Sequence, residues 1–246
     1  MNGSPAYIHF RVGWQLIGPE SPGQWYDQGQ FRSFWDALSR DPRTNFYQDF
    51  TYRPDRCELG QTRDKVEGGG QGFSKVVCSP ERLVIVEEWA ELAADEFCGR
   101  MEAILAAWFQ VFPQTLFIVQ ESVMRALVEP RTVKDSRQFL GDKVLQLGPR
   151  LERTFHGMPF KIGFNVACVR QMAEHQVFME ATVGSWRDNR RVWLEAKGLA
   201  PLGPPLNATN TGAAARLFSG CRQFVEDELL SLLRGYEADG CEPGGR

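Results

Sequence analysis

After Pro113 the pattern of apolar residues in this chain starts over, and that repetition constrains the fold more than any other feature. In the first pass, residues 7–17 alternate as a half-buried strand does, with Ile8, Phe10, Val12 and Trp14 on one side. Residues 31–40 carry Phe31, Phe34, Trp35 and Leu38 at helical spacing and stop at Asp41-Pro42. A weak alternation predicts a strand over 46–52. The polar run 53–72, ending in Gly68-Gly69-Gly70-Gln71-Gly72, predicts a loop. Residues 73–78 and 83–89 form a hairpin about Ser79-Pro80-Glu81-Arg82. A helix over 91–112 gathers Phe97, Met101, Ile104, Leu105, Trp108 and Phe112 on one face.

The second pass follows the same order. A strand over 116–128 leads to a helix over 135–147, which carries Phe139, Leu140, Val144 and Leu147. An alternating strand over 160–170 places Ile162, Phe164, Val166 and Cys168 on one face. A hairpin follows (176–185 and 190–197), turning at Arg187-Asp188-Asn189. A proline- and glycine-rich loop over 198–205 precedes a long helix over 213–236, with Asn207, Asn210 and Thr211 as cap-competent residues in front of it.

Each half thus reads strand, helix, strand, hairpin, helix. The expected fold is α+β: two tandem β-α-β-β-β-α halves, 1–113 and 114–238, read as a duplication, with a flexible tail over 239–246. Local echoes support the parallel, such as Arg32-Ser33-Phe34-Trp35 against Arg137-Gln138-Phe139-Leu140. Each half should be an antiparallel-rich sheet with long amphipathic helices on one face and the other face free. The two sheets are expected to pair or to line a cleft between the halves.

Composition narrows the function classes. Hydrophobic residues make up 43% of the chain, enough to bury a core and to exclude global disorder. The net charge of −3 excludes a chain coated throughout in basic surface. A local basic patch stays open, because 22 of the 28 cations are arginine. The first residues lack the basic and apolar regions of a signal peptide, and no apolar run approaches the roughly 20 residues that span a membrane. A cytoplasmic protein away from membranes is expected. The six cysteines show no metal-knuckle or redox spacing, so reduced thiols, no metal and no cofactor are expected.

No residue is assigned to catalysis. His9, His156 and His175 are not brought together by spacing, and a general base needs its substrate and an orienting neighbour within hydrogen-bond reach. Glu87 and Glu88 point to opposite faces of a strand. The glycine cluster lacks the Gly-Lys-Ser/Thr of a phosphate loop. Glu121 and Glu180 each interrupt a hydrophobic strand and, with Arg125 on the face of Glu121, are candidates to line a cleft. Trp186, Arg187, Arg190, Arg191 and Trp193 around the second hairpin are candidates for partner binding. Trp25 and Tyr26 would extend such a patch if exposed.

The leading reading is a non-catalytic binding or assembly component that recognises a protein partner or a second copy of itself. A second reading is a single-stranded nucleic-acid binding or processing protein, with Tyr47, Tyr52, Arg53 and Arg56 offering rings and guanidinium groups to bases and phosphates. A third is a small-molecule enzyme with its site between the halves.

Overall fold

The computed structural model describes residues 2–17, 27–65, 70–89, 92–172 and 175–238. Trp25, Tyr26, Gly68, Gly69, Cys241 and the expected tail lie outside these residues. Among the described residues, nine strands form one antiparallel sheet in the order β2-β3-β4-β5-β1-β6-β9-β8-β7. Its centre is the long pair β1 (Asn2–Ile17) and β6 (Leu116–Glu129), which opens each half of the chain. Outward from β1 run β5 (Arg82–Glu88), β4 (Gln71–Ser79), β3 (Arg56–Lys65) and β2 (Asp49–Arg53). Outward from β6 run β9 (Val192–Leu206), β8 (His175–Ser185) and β7 (Gly163–Met172). The halves therefore meet edge to edge in a shared sheet. Counted from the centre, their strands follow in the same chain order.

The helices lie on one face. In α1 (Gln28–Arg40), Asp27 and Gln30 form a reciprocal capping box, and Phe31, Phe34 and Leu38 point inward. They meet Trp108 and Phe112 at the end of α2 (Ala94–Val111), with the Phe34 and Trp108 rings edge to face at 5.5 Å. Phe97 of α2 lies between Phe10 of β1 and Phe218 of α5 (Gly212–Gln223), with ring centres 5.2 and 4.8 Å away. This joins the two halves in a continuous core. Trp14 donates to Gln120, and Gln120 donates to Ser122 and to the carbonyl of Ala214, so these buried polar groups on the helix side of the central seam satisfy one another. From α5 the chain continues helically through a π segment (Phe224–Leu229) into α6 (Leu230–Ala238).

Several expectations are corrected. The run 53–72 is not one loop: Arg56–Lys65 is strand β3, directed inward by Cys57 and Leu59 among polar neighbours. The first half is therefore β-α-β-β-β-β-α, one strand longer than the second. The strand expected over 46–52 is Asp49–Arg53. The proline- and glycine-rich run 198–205 continues β9 to Leu206; its pairing with β8 ends at Leu199, so Pro201 lies beyond that ladder. The helix expected over 135–147 is a short α turn, α3 (Ser136–Gln138), followed by a π segment (Phe139–Val144). A further helix, α4 (Gly148–Phe155), was not foreseen. Asn207 and Asn210 bond within their own turn and do not cap α5.

Candidate functional site

The face of the sheet away from the helices carries rows of directly paired residues. One row runs Phe73, Glu88, His9, Arg125, Glu195, Thr182 across β4, β5, β1, β6, β9 and β8. Hydrogen-bonding partners fall side by side in it: His9 Nδ1 bonds the Glu88 carboxylate, and Arg125 donates to Glu195 at 2.6 Å. Nearby, Glu121 accepts from Arg11 at 2.9 Å and lies 3.2 Å from the Lys197 ammonium. Partial burial acts to raise the Glu121 pKa, but the two cations outweigh it and hold the carboxyl below its usual range.

Over part of this row, at the junction of the halves, the surface sinks into a cavity of about 550 Å³. Its walls are Phe73, Trp89, Phe160, Trp186 and Trp193; Arg125, Lys161, Arg187 and Glu88 supply its charges. Trp89, just after β5, takes φ +47°, a left-handed backbone that a bulky residue rarely adopts, and its backbone N–H donates to the Ile8 carbonyl at 2.7 Å. That bend swings the indole over the sheet end, 6.3 Å from the ring centre of Trp186. Gly70 makes room for it: a Cβ there would lie 2.7 Å from Trp89 Nε1. The described part of the glycine cluster thus accommodates a tryptophan.

The opposite wall is built by the β8–β9 turn. Asp188 accepts from the backbone N–H groups of Arg190 and Arg191 and from the Arg191 guanidinium, at 2.9, 3.1 and 2.7 Å. Burial opposes its ionisation, but these donors hold its carboxyl below the usual range. Asn189 takes the left-handed turn position, φ +57°, which asparagine tolerates. Trp186 bonds the Arg191 carbonyl through its N–H, so the ring stands at a braced position. Ser185 closes the base: its N–H donates to the Ile162 carbonyl and its hydroxyl accepts from the Ile162 N–H. Lys161 Nζ lies 5.5 Å from the Trp193 ring centre, and the Arg187 guanidinium 5.2 Å from that of Trp186.

The structure brings Trp186, Arg187 and Trp193 together with Arg125. Arg190 borders a separate hollow with Glu129, Arg131 and Lys134, and Arg191 serves the turn. Glu121 lies elsewhere on the open face, and Glu180 faces Lys197 across β8 and β9. Tyr47 is inside the core, Tyr52 is half-buried against Phe31, Arg53 is exposed and Arg56 pairs with Glu58 at 2.6 Å. These four do not form one surface of accessible rings. Sequence reasoning did not find Phe73, Glu88, Trp89, Phe160 or Lys161. A tryptophan closing a strand just after a charged pair, as Glu87-Glu88-Trp89 does, was the available signal.

Glu87 points the other way, as expected of adjacent strand residues. Fully buried, it accepts from Arg100 at 2.9 Å and from Ser74, with the Arg63 guanidinium 3.5 Å away. Among the described residues no three His, Cys, Asp or Glu side chains gather as a metal site, and no helix is long and apolar enough to cross a membrane. The five described cysteines are free thiols. No protein-family model, curated protein or solved structure matches the chain.

Proposed function

We propose that this is a non-catalytic, cytoplasmic binding or assembly component that recognises a protein partner through the pocket at the junction of its halves. The observation that carries this reading is the convergence of three tryptophans and two phenylalanines on one open concavity. Large rings that pack in a concavity but stay reachable concentrate interface energy. A volume of about 550 Å³ is within the range of about 300–1,000 Å³ common for binding sites. The shared strand order of the halves supports their origin by tandem duplication. On that reading the pocket arose where two copies of one unit came to share a sheet.

The test is selection of binding peptides from a random displayed library on the immobilised protein, with each survivor re-measured on Trp186→Ala and Trp193→Ala variants. The expected result is that most survivors lose binding to both variants while circular dichroism is unchanged. Survivors indifferent to both substitutions would place recognition elsewhere.

A further inference from the structure

We infer that the group entering this pocket is an aromatic side chain next to a carboxylate on the partner protein, an inference that rests on the protein-recognition reading above. The charge balance of the pocket points to it. Glu88 is bonded to His9, and Arg125 to Glu195. Lys161 and Arg187 have no carboxylate within ion-pair distance among the described residues; each lies over a tryptophan ring instead. The rim therefore carries two cations that no described carboxylate pairs at salt-bridge distance, each over a ring of the pocket wall. Covering them with an apolar partner would strip water from two cations without replacement, which is unfavourable. A carboxylate reaching the rim replaces that water with charge-assisted hydrogen bonds, and Arg187 can hold it through two parallel donors.

The rings fix the second element. Phe160 is 85% exposed and finds no cover in the described chain. It stands with Trp89, Trp186 and Trp193 as surfaces on which a planar group can stack offset or edge to face. A nucleotide also combines a ring with negative charge, but its neighbours in a strand would need a track of free cations. Beyond the pocket the open face offers Arg11 and Lys197 already bound to Glu121, and Glu195 beside Arg125. Carboxylates alternate with cations there and would repel a phosphate chain. A single anionic group beside a ring fits this open face better than a polyanion does; Arg190, Arg131 and Lys134 border a separate hollow.

The experiment uses the full chain labelled with 5-fluorotryptophan, its Trp186 and Trp193 fluorine resonances assigned from Trp186→Phe and Trp193→Phe variants. Four probes are titrated: acetyl-Asp-Phe-Asp-amide, acetyl-Asn-Phe-Asn-amide, acetyl-Lys-Phe-Lys-amide and uridine 5′-monophosphate. The acidic peptide is expected to shift both resonances and to bind about tenfold or more tighter than the neutral peptide, with the lysine peptide weakest. That advantage should vanish in a Lys161→Ala/Arg187→Ala double variant and fall with added salt. Equal binding of acidic and neutral peptides, still dependent on Trp186, would overturn the carboxylate and leave the recognition pocket standing. Tighter binding of the nucleotide would overturn it in favour of nucleic acid. No shift with any probe would overturn the inference, while the peptide selection judges the recognition reading separately.

Discussion

Replacing Glu87 with alanine removes the carboxylate between two arginines on the helix-covered face. The Glu87 side chain is fully buried, whereas Arg100 and Arg63 keep 18% and 26% of their side-chain exposure. Both guanidinium groups also lie over the Phe46 ring, at 4.4 and 6.0 Å, so the substitution leaves two like charges held close together. Breaking a fully buried ion pair costs about 3–5 kcal/mol. Because water still reaches part of both arginines, the lower end applies, about 3 kcal/mol. For a chain of this size that lowers the melting temperature by about 6–12 °C. Glu87→Gln keeps the volume and an acceptor for Ser74, so it should cost less than Glu87→Ala. The comparison is Glu121→Ala on the open face, whose loss should stay near or below about 1 kcal/mol. Urea unfolding at neutral pH, followed by circular dichroism, gives both differences. A Glu87→Ala loss no larger than that of Glu121→Ala would refute the argument.

Other consequences are equally direct. Gly198→Ala would put a Cβ 2.5 Å from Cys221 Sγ and 3.1 Å from Met179 Sδ, and should cost about 1–3 kcal/mol in the same unfolding assay. In the native protein at pH 8, Cys98 and Cys168 should react with a disulfide reagent before Cys57, Cys78 and Cys221. Burial shields the slow set and holds it as thiols, with Cys57 and Cys221 pushed up to about 12; burial raises the Cys98 thiol as well, so its partial exposure is what sets it apart. Glu121 and Asp188 are held below the usual carboxyl range when folded, so the unfolded chain takes up their protons first as pH falls. Their stabilisation is present above the unfolded pKa, about 4, and is lost as pH drops through the lower folded value. A Glu121→Gln variant should therefore show a flatter acid limb in a stability–pH profile.

The sequence exposed those parts of the fold that depend on local period. Helix α2 and the long helix from α5 to α6 were legible because their apolar stripes recur for several turns. Both hairpins were legible because a turn separates two alternating runs. Strand β3 was not: only Cys57 and Leu59 reach the core from a segment otherwise rich in charge, so its alternation is faint. The end of β9 was hidden by its prolines and glycines, which the sheet admits past Leu199, where β8 no longer pairs. Three pocket residues of the second hairpin were legible because rings and arginines crowd a short stretch. Ile8, Phe73, Trp89, Arg125 and Phe160 are far apart in the chain. They meet only because β1 pairs with β6, and no periodicity says which edges of two sheets will join. The left-handed turn at Trp89, which aims its ring, leaves no mark in the sequence beyond the glycines that make room for it.

The central claim is that the junction pocket is where this protein meets its partner. The most direct measurement is the affinity of a library-selected peptide for Trp186→Ala, set against Phe178→Ala on the same open face but outside the pocket. Calorimetry should show about a 30-fold or greater loss for Trp186→Ala, the scale of a ring that anchors an interface, and less than about a twofold change for Phe178→Ala. Equal losses, or a larger one for Phe178→Ala, would contradict the account.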